Sequence, residues 1–182
     1  MKKVYLSYKD VENNILDMGR EILTSTWRPD YIVGIGRGGL LPATLLSHFL
    51  KVPMNSLDVS FRDGGETTTN AWMAEDAFGY IYEKDRDSVE NASTNNGKNI
   101  LIVDDINDSG KTLKWIQDDW MSGCLPSDDA WDNVWGNNVR ILTLVNNEAS
   151  DFDEVDYAGF DINKAEEDCW IVFPWEEWWS KA

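Results

Sequence analysis

Polar and apolar positions along this chain follow two rhythms, one helical and one of short unbroken apolar runs. Val11, Ile15, Met18 and Ile22 recur at helical spacing and predict an amphipathic helix over residues 10–26, capped near Asp10. Apolar runs predict strands near 31–36, 54–61 and 99–104 and another over Val139–Val145, with helices near 40–51 and 111–122. Phe78–Tyr82 reads as a further strand. Strands alternating with helices imply an α/β fold: three layers, with a mostly parallel twisted sheet flanked by helices and joined by right-handed crossovers. In such sheets ligands gather at the carboxyl ends of the strands.

Two of those strand ends carry chemistry. The run Ile100–Val103 leads into Asp104-Asp105-Ile106-Asn107-Asp108-Ser109-Gly110-Lys111-Thr112 and then a helical pattern with Leu113, Ile116, Trp120 and Met121 on one side. A polar turn opening a helix offers backbone N–H groups and the positive end of the helix dipole, which suits a phosphate. The acids Asp104, Asp105 and Asp108 on the same turn suit sugar hydroxyls, protons or a metal. Gly110-Lys111-Thr112 resembles the end of a nucleotide P-loop, but that pattern needs glycine where Asp105 stands. A calcium-binding loop starting at Asp105 would need its bidentate Glu where Ile116 stands.

The second strand end is Tyr31–Gly36 followed by Arg37-Gly38-Gly39-Leu40-Leu41-Pro42. Pro42 sits early in the helix, where its missing N–H costs nothing. The glycines leave backbone exposed around one guanidinium, an arrangement that can approach a diphosphate closely. Gly34, Gly36 and Gly39 also fit a dinucleotide-binding loop, with Asp58 near the spacing expected for its ribose acid.

The acidic loop resembles the PRPP-binding motif of the type I phosphoribosyltransferases, and the Arg37-Gly38-Gly39 loop resembles their pyrophosphate loop. A third segment, Cys169-Trp170-Ile171-Val172-Phe173-Pro174-Trp175-Glu176, resembles the tail of the 6-oxopurine enzymes, the xanthine-guanine and hypoxanthine phosphoribosyltransferases. The resemblance implies the type I phosphoribosyltransferase fold as a single domain over 1–182, with a flexible lid near 62–98 and a small C-terminal base-binding hood near 146–182. It implies transfer of a 5-phosphoribosyl group from PRPP to a purine base in salvage, with Mg²⁺ and release of pyrophosphate. Asp108, Ser109, Gly110, Lys111 and Thr112 would cradle the 5′-phosphate, and Arg37, Gly38 and Gly39 the pyrophosphate. Asp104 and Asp105 would bind the ribose hydroxyls, and Asp108 would accept the N7 proton. Trp170 would stack on the base, Ile171 would read its edge through backbone, and Asp105 and Glu176 would hold metal. Trp175, Trp178 and Trp179 would cover the core or a subunit interface.

One position departs from the pattern. These purine enzymes place a Lys after the strand that here ends Val145-Asn146-Asn147-Glu148. An ammonium only donates and selects an oxo group, whereas an Asn147 amide, taken as the base-binding substitute, accepts or donates. Residues 62–98 are a lid by resemblance or a disordered surface loop by composition, with Arg62 the cation of interest.

The chain has 182 residues, with 16 Lys plus Arg against 33 Asp plus Glu and a formal charge of −17. That field repels nucleic acid and anionic membranes, and no cluster of five basic residues overrides it. No apolar run reaches the roughly 18 residues of a membrane span. Lys9, Asp10 and Glu12 follow Met1-Lys2-Lys3 too soon for a signal peptide. Cys124 and Cys169 lack metal or redox spacing, so a cytoplasmic, reduced protein is expected. A homodimer or tetramer is implied by resemblance alone. Three rivals stay open: an enzyme for another base, a PRPP-sensing regulator, and a purely structural role.

Overall fold

A computed structural model of the chain describes residues 1–59, 71–79, 97–123 and 131–181. Its elements in order are β1 (Lys2–Tyr5), α1 (Tyr8–Thr24), β2 (Tyr31–Gly36), α2 (Leu40–Leu50), β3 (Met54–Asp58), α3 (Ala71–Phe78), β4 (Ile100–Asn107), α4 (Lys111–Gly123), β5 (Val139–Asn147), β6 (Tyr157–Ile162) and β7 (Cys169–Val172). A 3₁₀ turn follows at Trp178–Lys181. Strands β3-β2-β4-β5-β6 form one sheet, every neighbouring pair parallel. β1 and β7 make a separate parallel pair in which Lys3 lies opposite Trp170.

The period of two along each strand sorts its side chains between two cores. Leu101 and Val103 of β4 join Ile32, Leu142 and Leu144 beneath α1 and α2, with Val11, Ile15, Met18, Ile22, Ala43 and Leu46 as the helix contribution. Ile100 and Ile102 instead join Val33, Ile35 and Ile141 against Met73, Ala74 and Ala77 of α3 and Leu113, Ile116 and Trp120 of α4. Each such Ile or Leu, fully buried, contributes about 1.5–3 kcal/mol relative to exposure. The result is the three-layer arrangement expected from the sequence. Ile171 and Phe173 belong to the α1–α2 core, which ties the C-terminal segment to that face.

Several boundaries move for identifiable reasons. α1 begins at Tyr8, because Ser7 is its cap and Asp10 is the reciprocal member of a capping box. The Asp10 carboxyl is held below its ordinary value by hydrogen bonds from the Ser7 side chain and backbone. β4 does not stop at Asp104. It runs on to Asn107 because Asp104, Ile106 and Asn107 keep pairing with Thr143, Val145 and Asn146 of β5. Asp104 and Asp105 are therefore strand residues, and only Asp108 sits on the turn.

Phe78 closes a helix rather than opening a strand. Met73, Ala74 and Ala77 are buried at helical spacing, and Gly79 breaks the helix at φ 95°. Tyr80–Tyr82, Arg62, Cys124 and most of the expected lid lie outside the described residues. Among the described residues no helix is long and apolar enough to cross a membrane.

Candidate active site

The loop from β2 to α2 lies directly on the end of β4. A Cβ on Gly38 would fall inside the Asp105 carboxylate, 1.9 Å from Oδ2. A Cβ on Gly39 would stand 2.2 Å from the Val103 carbonyl oxygen and 2.9 Å from the Asp104 Cα. Only a chain without side chains at both positions can come this close. The two glycines thus bring the Arg37 loop against the acid pair. Arg37 itself is exposed, and a cleft of about 550 Å³ opens beside it, bordered by Tyr8, Thr44, Trp175 and Trp178.

Following the acids along the chain, the β4–α4 turn exposes Ser109 and Lys111 while Gly110 is buried. Gly110 has φ 81°, and a Cβ there would meet Phe152 and the Ser150 hydroxyl at 2.7 Å. The first N–H groups of α4 have no intrahelical acceptor, so the turn presents donors to solvent at its open side. Asp104 is buried, and its Oδ1 accepts from the Asp105 N–H at 2.9 Å.

Two asparagines hold this turn. Asn107 donates to the Phe152 carbonyl at 2.8 Å and the Asn146 side chain at 2.9 Å, and it accepts from the Ser150 hydroxyl at 2.9 Å. Asn147 donates to the Asp108 carbonyl at 2.9 Å, while its Oδ1 accepts from the Ala149 N–H at 3.2 Å and the Lys164 N–H at 3.0 Å. Residue type alone nominated Asn147 as a base contact. Its buried amide instead engages backbone through both its nitrogen and its oxygen, and so braces the β4–α4 turn.

Trp170 lies half-buried on β7, and Lys164 brings its ammonium 5.8 Å from the indole centroid. The same ammonium stands 2.8 Å from Asp108 Oδ1. Trp170 is thereby linked to the turn that carries Asp108. Ile171 has a buried side chain in the core, with its backbone in the β1–β7 pair. Glu176 accepts from the Phe173 N–H at 3.0 Å and so closes its own turn. Trp175 stacks on Phe173 at 4.9 Å and 11°, covering that core as one of the two expected alternatives. Trp178 and Trp179 remain 62% and 64% exposed. Among the described residues no three His, Cys, Asp or Glu side chains converge as a metal cluster.

Lys164 and Asn107 are the site residues that motif reading passes over. A signal for Lys164 does exist in the sequence: it is the only Lys or Arg between Arg140 and Lys181, in a stretch dominated by acids.

Comparison with known proteins adds the following. The model of the phosphoribosyl transferase domain matches residues 5–179. The hypoxanthine-guanine phosphoribosyltransferase of Schizosaccharomyces pombe is 26% identical over 200 residues, spanning 96% of this chain and 89% of the relative. The xanthine phosphoribosyltransferase 1 of Saccharomyces cerevisiae is 25% identical over 63% of this chain and 58% of its own length. A purine phosphoribosyltransferase structure from Pyrococcus horikoshii superposes with TM-score 0.63 at 27% identity, covering 97% of this chain and 96% of that one.

Proposed function

The chain belongs to the phosphoribosyltransferase family, and from that premise we propose that it transfers a 5-phosphoribosyl group from PRPP to a purine base of the guanine, xanthine or hypoxanthine type, releasing pyrophosphate. The observation that carries this reading is the contact of the Gly38-Gly39 backbone with Asp105 and the end of β4, which brings the Arg37 loop against the acid pair that leads into the β4–α4 turn. A sugar bound over the acids would carry its phosphate toward the turn and its diphosphate toward the Arg37 loop.

In the reaction the Ser109–Thr112 backbone and the Lys111 ammonium cradle the 5′-phosphate, with Asp108 beside them. Arg37 and the Gly38-Gly39 backbone hold the pyrophosphate, and Asp104 and Asp105 take the ribose hydroxyls. The bond from the sugar C1 to pyrophosphate oxygen breaks, a bond from C1 to a ring nitrogen of the purine forms, and the proton leaving N7 passes to Asp108. Positive charge on the sugar ring is offset by the flanking carboxylates. The base stacks on Trp170, a contact worth roughly 1–3 kcal/mol.

Magnesium suits the oxygen donors of the acid pair, since Mg²⁺ takes one or two carboxylates plus substrate phosphates rather than an all-protein cage. Asp105, with Asp104 next to it, would hold the ion; Glu176, engaged in its own turn, is the weaker candidate. When bound, Mg²⁺ offsets the charge that develops on the leaving pyrophosphate.

A panel of hypoxanthine, guanine, xanthine, adenine and orotate with PRPP and Mg²⁺, read by pyrophosphate release, tests the proposal. Turnover with oxopurines is expected, and turnover with orotate alone would refute the purine assignment. Trp170→Ala should raise the KM for the base by roughly tenfold or more, the loss of one stacking contact, with the PRPP dissociation constant nearly unchanged.

A further inference from the structure

The strand end from Val145 to Glu148 carries no cation, yet one stands at the proposed base seat. Lys164 lies in the segment between β6 and β7, where the Glu166 and Glu167 N–H groups both donate back to the Asn163 carbonyl, at 3.1 and 3.0 Å. Its own N–H donates to Asn147 Oδ1 at 3.0 Å, and the other end of that amide holds the Asp108 carbonyl at 2.9 Å. The backbones of Lys164 and Asp108 are therefore tied to one side chain. The acids of its own segment, Asp161, Glu166, Glu167 and Asp168, are nearer in sequence. The Lys164 ammonium passes them and reaches Asp108 Oδ1 at 2.8 Å, with the side chain only 18% exposed.

Resting on the purine-transfer reading, we propose that Lys164 is the specificity-determining residue of the base site, donating to the exocyclic oxygen of an oxopurine stacked on Trp170. The chemistry of the purine edge supports this. O6 and N7 project from the same edge of the ring, so a protein that reads O6 and takes the N7 proton needs a donor and an acceptor side by side. Lys164 Nζ and Asp108 Oδ1 are such a pair, and the ammonium lies 5.8 Å from the Trp170 ring centre.

An ammonium has three donors and no acceptor. It therefore pairs with an oxo group and meets an amino group donor to donor. Before the base arrives, the same ammonium rests on Asp108 and the Trp170 ring. Passing it to the base oxygen uncovers Asp108 Oδ1 for the proton, so recognition of the base and acceptance of its proton are coupled through one side chain.

The test measures kcat/KM for hypoxanthine and for adenine in wild type, Lys164→Met and Lys164→Arg, with PRPP affinity by calorimetry. Lys164→Met should shrink the hypoxanthine-to-adenine ratio at least about tenfold, because losing the group that hydrogen-bonds a substrate atom removes most of the discrimination built on it. The loss should fall on the KM for hypoxanthine, with PRPP affinity close to wild type, and Lys164→Arg should keep most of the ratio. An unchanged ratio in Lys164→Met, or equal losses on both bases, would overturn the role of Lys164 and leave purine transfer standing. A wild-type protein that consumes no purine would overturn both.

Discussion

Asp108→Asn should lower turnover by roughly a hundredfold to ten-thousandfold, the range that a positioned general base contributes. The change keeps the shape of the side chain and removes its charge and its capacity to accept a proton. PRPP affinity should change little, because the 5′-phosphate is held chiefly by the backbone of the turn and by Lys111, and because Asn147 grips the Asp108 carbonyl, which the substitution leaves in place. Folding should change little as well. The ion pair that is lost, Lys164 to Asp108, has side chains 18% and 31% exposed, and pairs near the surface contribute about 0–1 kcal/mol. A large fall in kcat with an unchanged melting temperature is the expected signature. Turnover at the wild-type rate would remove Asp108 from the chemistry.

Gly39→Ala should destabilise the fold by about 3 kcal/mol or more, at or above the upper end for overpacked interiors. The cause is proximity rather than backbone conformation. Gly39 has φ −72° and ψ −13°, values open to any residue, but its missing Cβ would meet the Val103 and Ile35 carbonyl oxygens and the Asp104 Cα. All three belong to the backbone of the central strands, which cannot swing aside as a side chain can. Relief must come from lifting the β2–α2 loop off β4, which also separates Arg37 from the acid pair. Activity should therefore fall further than stability alone explains. Gly123→Ala is the control, since among the described residues nothing lies within 4 Å of a Cβ there. Urea midpoints of the two variants decide the matter, and equal midpoints would sink the close-approach argument.

Much of this architecture is legible in the residues because its central strands are buried on both faces. The run at Tyr31–Gly36 gives β2 to the residue, and α2 and α4 agree with their helical patterns to within one position. The legibility fails where pairing with a partner, rather than local pattern, makes the element. β1 shows an exposed, mostly polar face and becomes a strand only through β7. The extension of β4 through Asp104 and Asp105 likewise depends on β5, which no local pattern of acids reveals.

Side-chain direction is the other quantity that sequence withholds. Asn147 stands where a base contact was expected, yet its amide turns back onto backbone. The cation at the proposed base seat comes from Lys164, many residues later in the chain, through an ion pair that spacing does not encode.

The strand that carries Trp170 is hydrogen-bonded to β1, whose Lys3 lies opposite it in register. The surface proposed for the base is thus joined from segments far apart in the sequence. Closing a loop of that length costs entropy that only later contacts repay. Loosening of β1 would be transmitted to the indole through this pairing while leaving the Arg37 loop and the β4–α4 turn in place, so the proposed grips on nucleobase and on sugar can weaken independently.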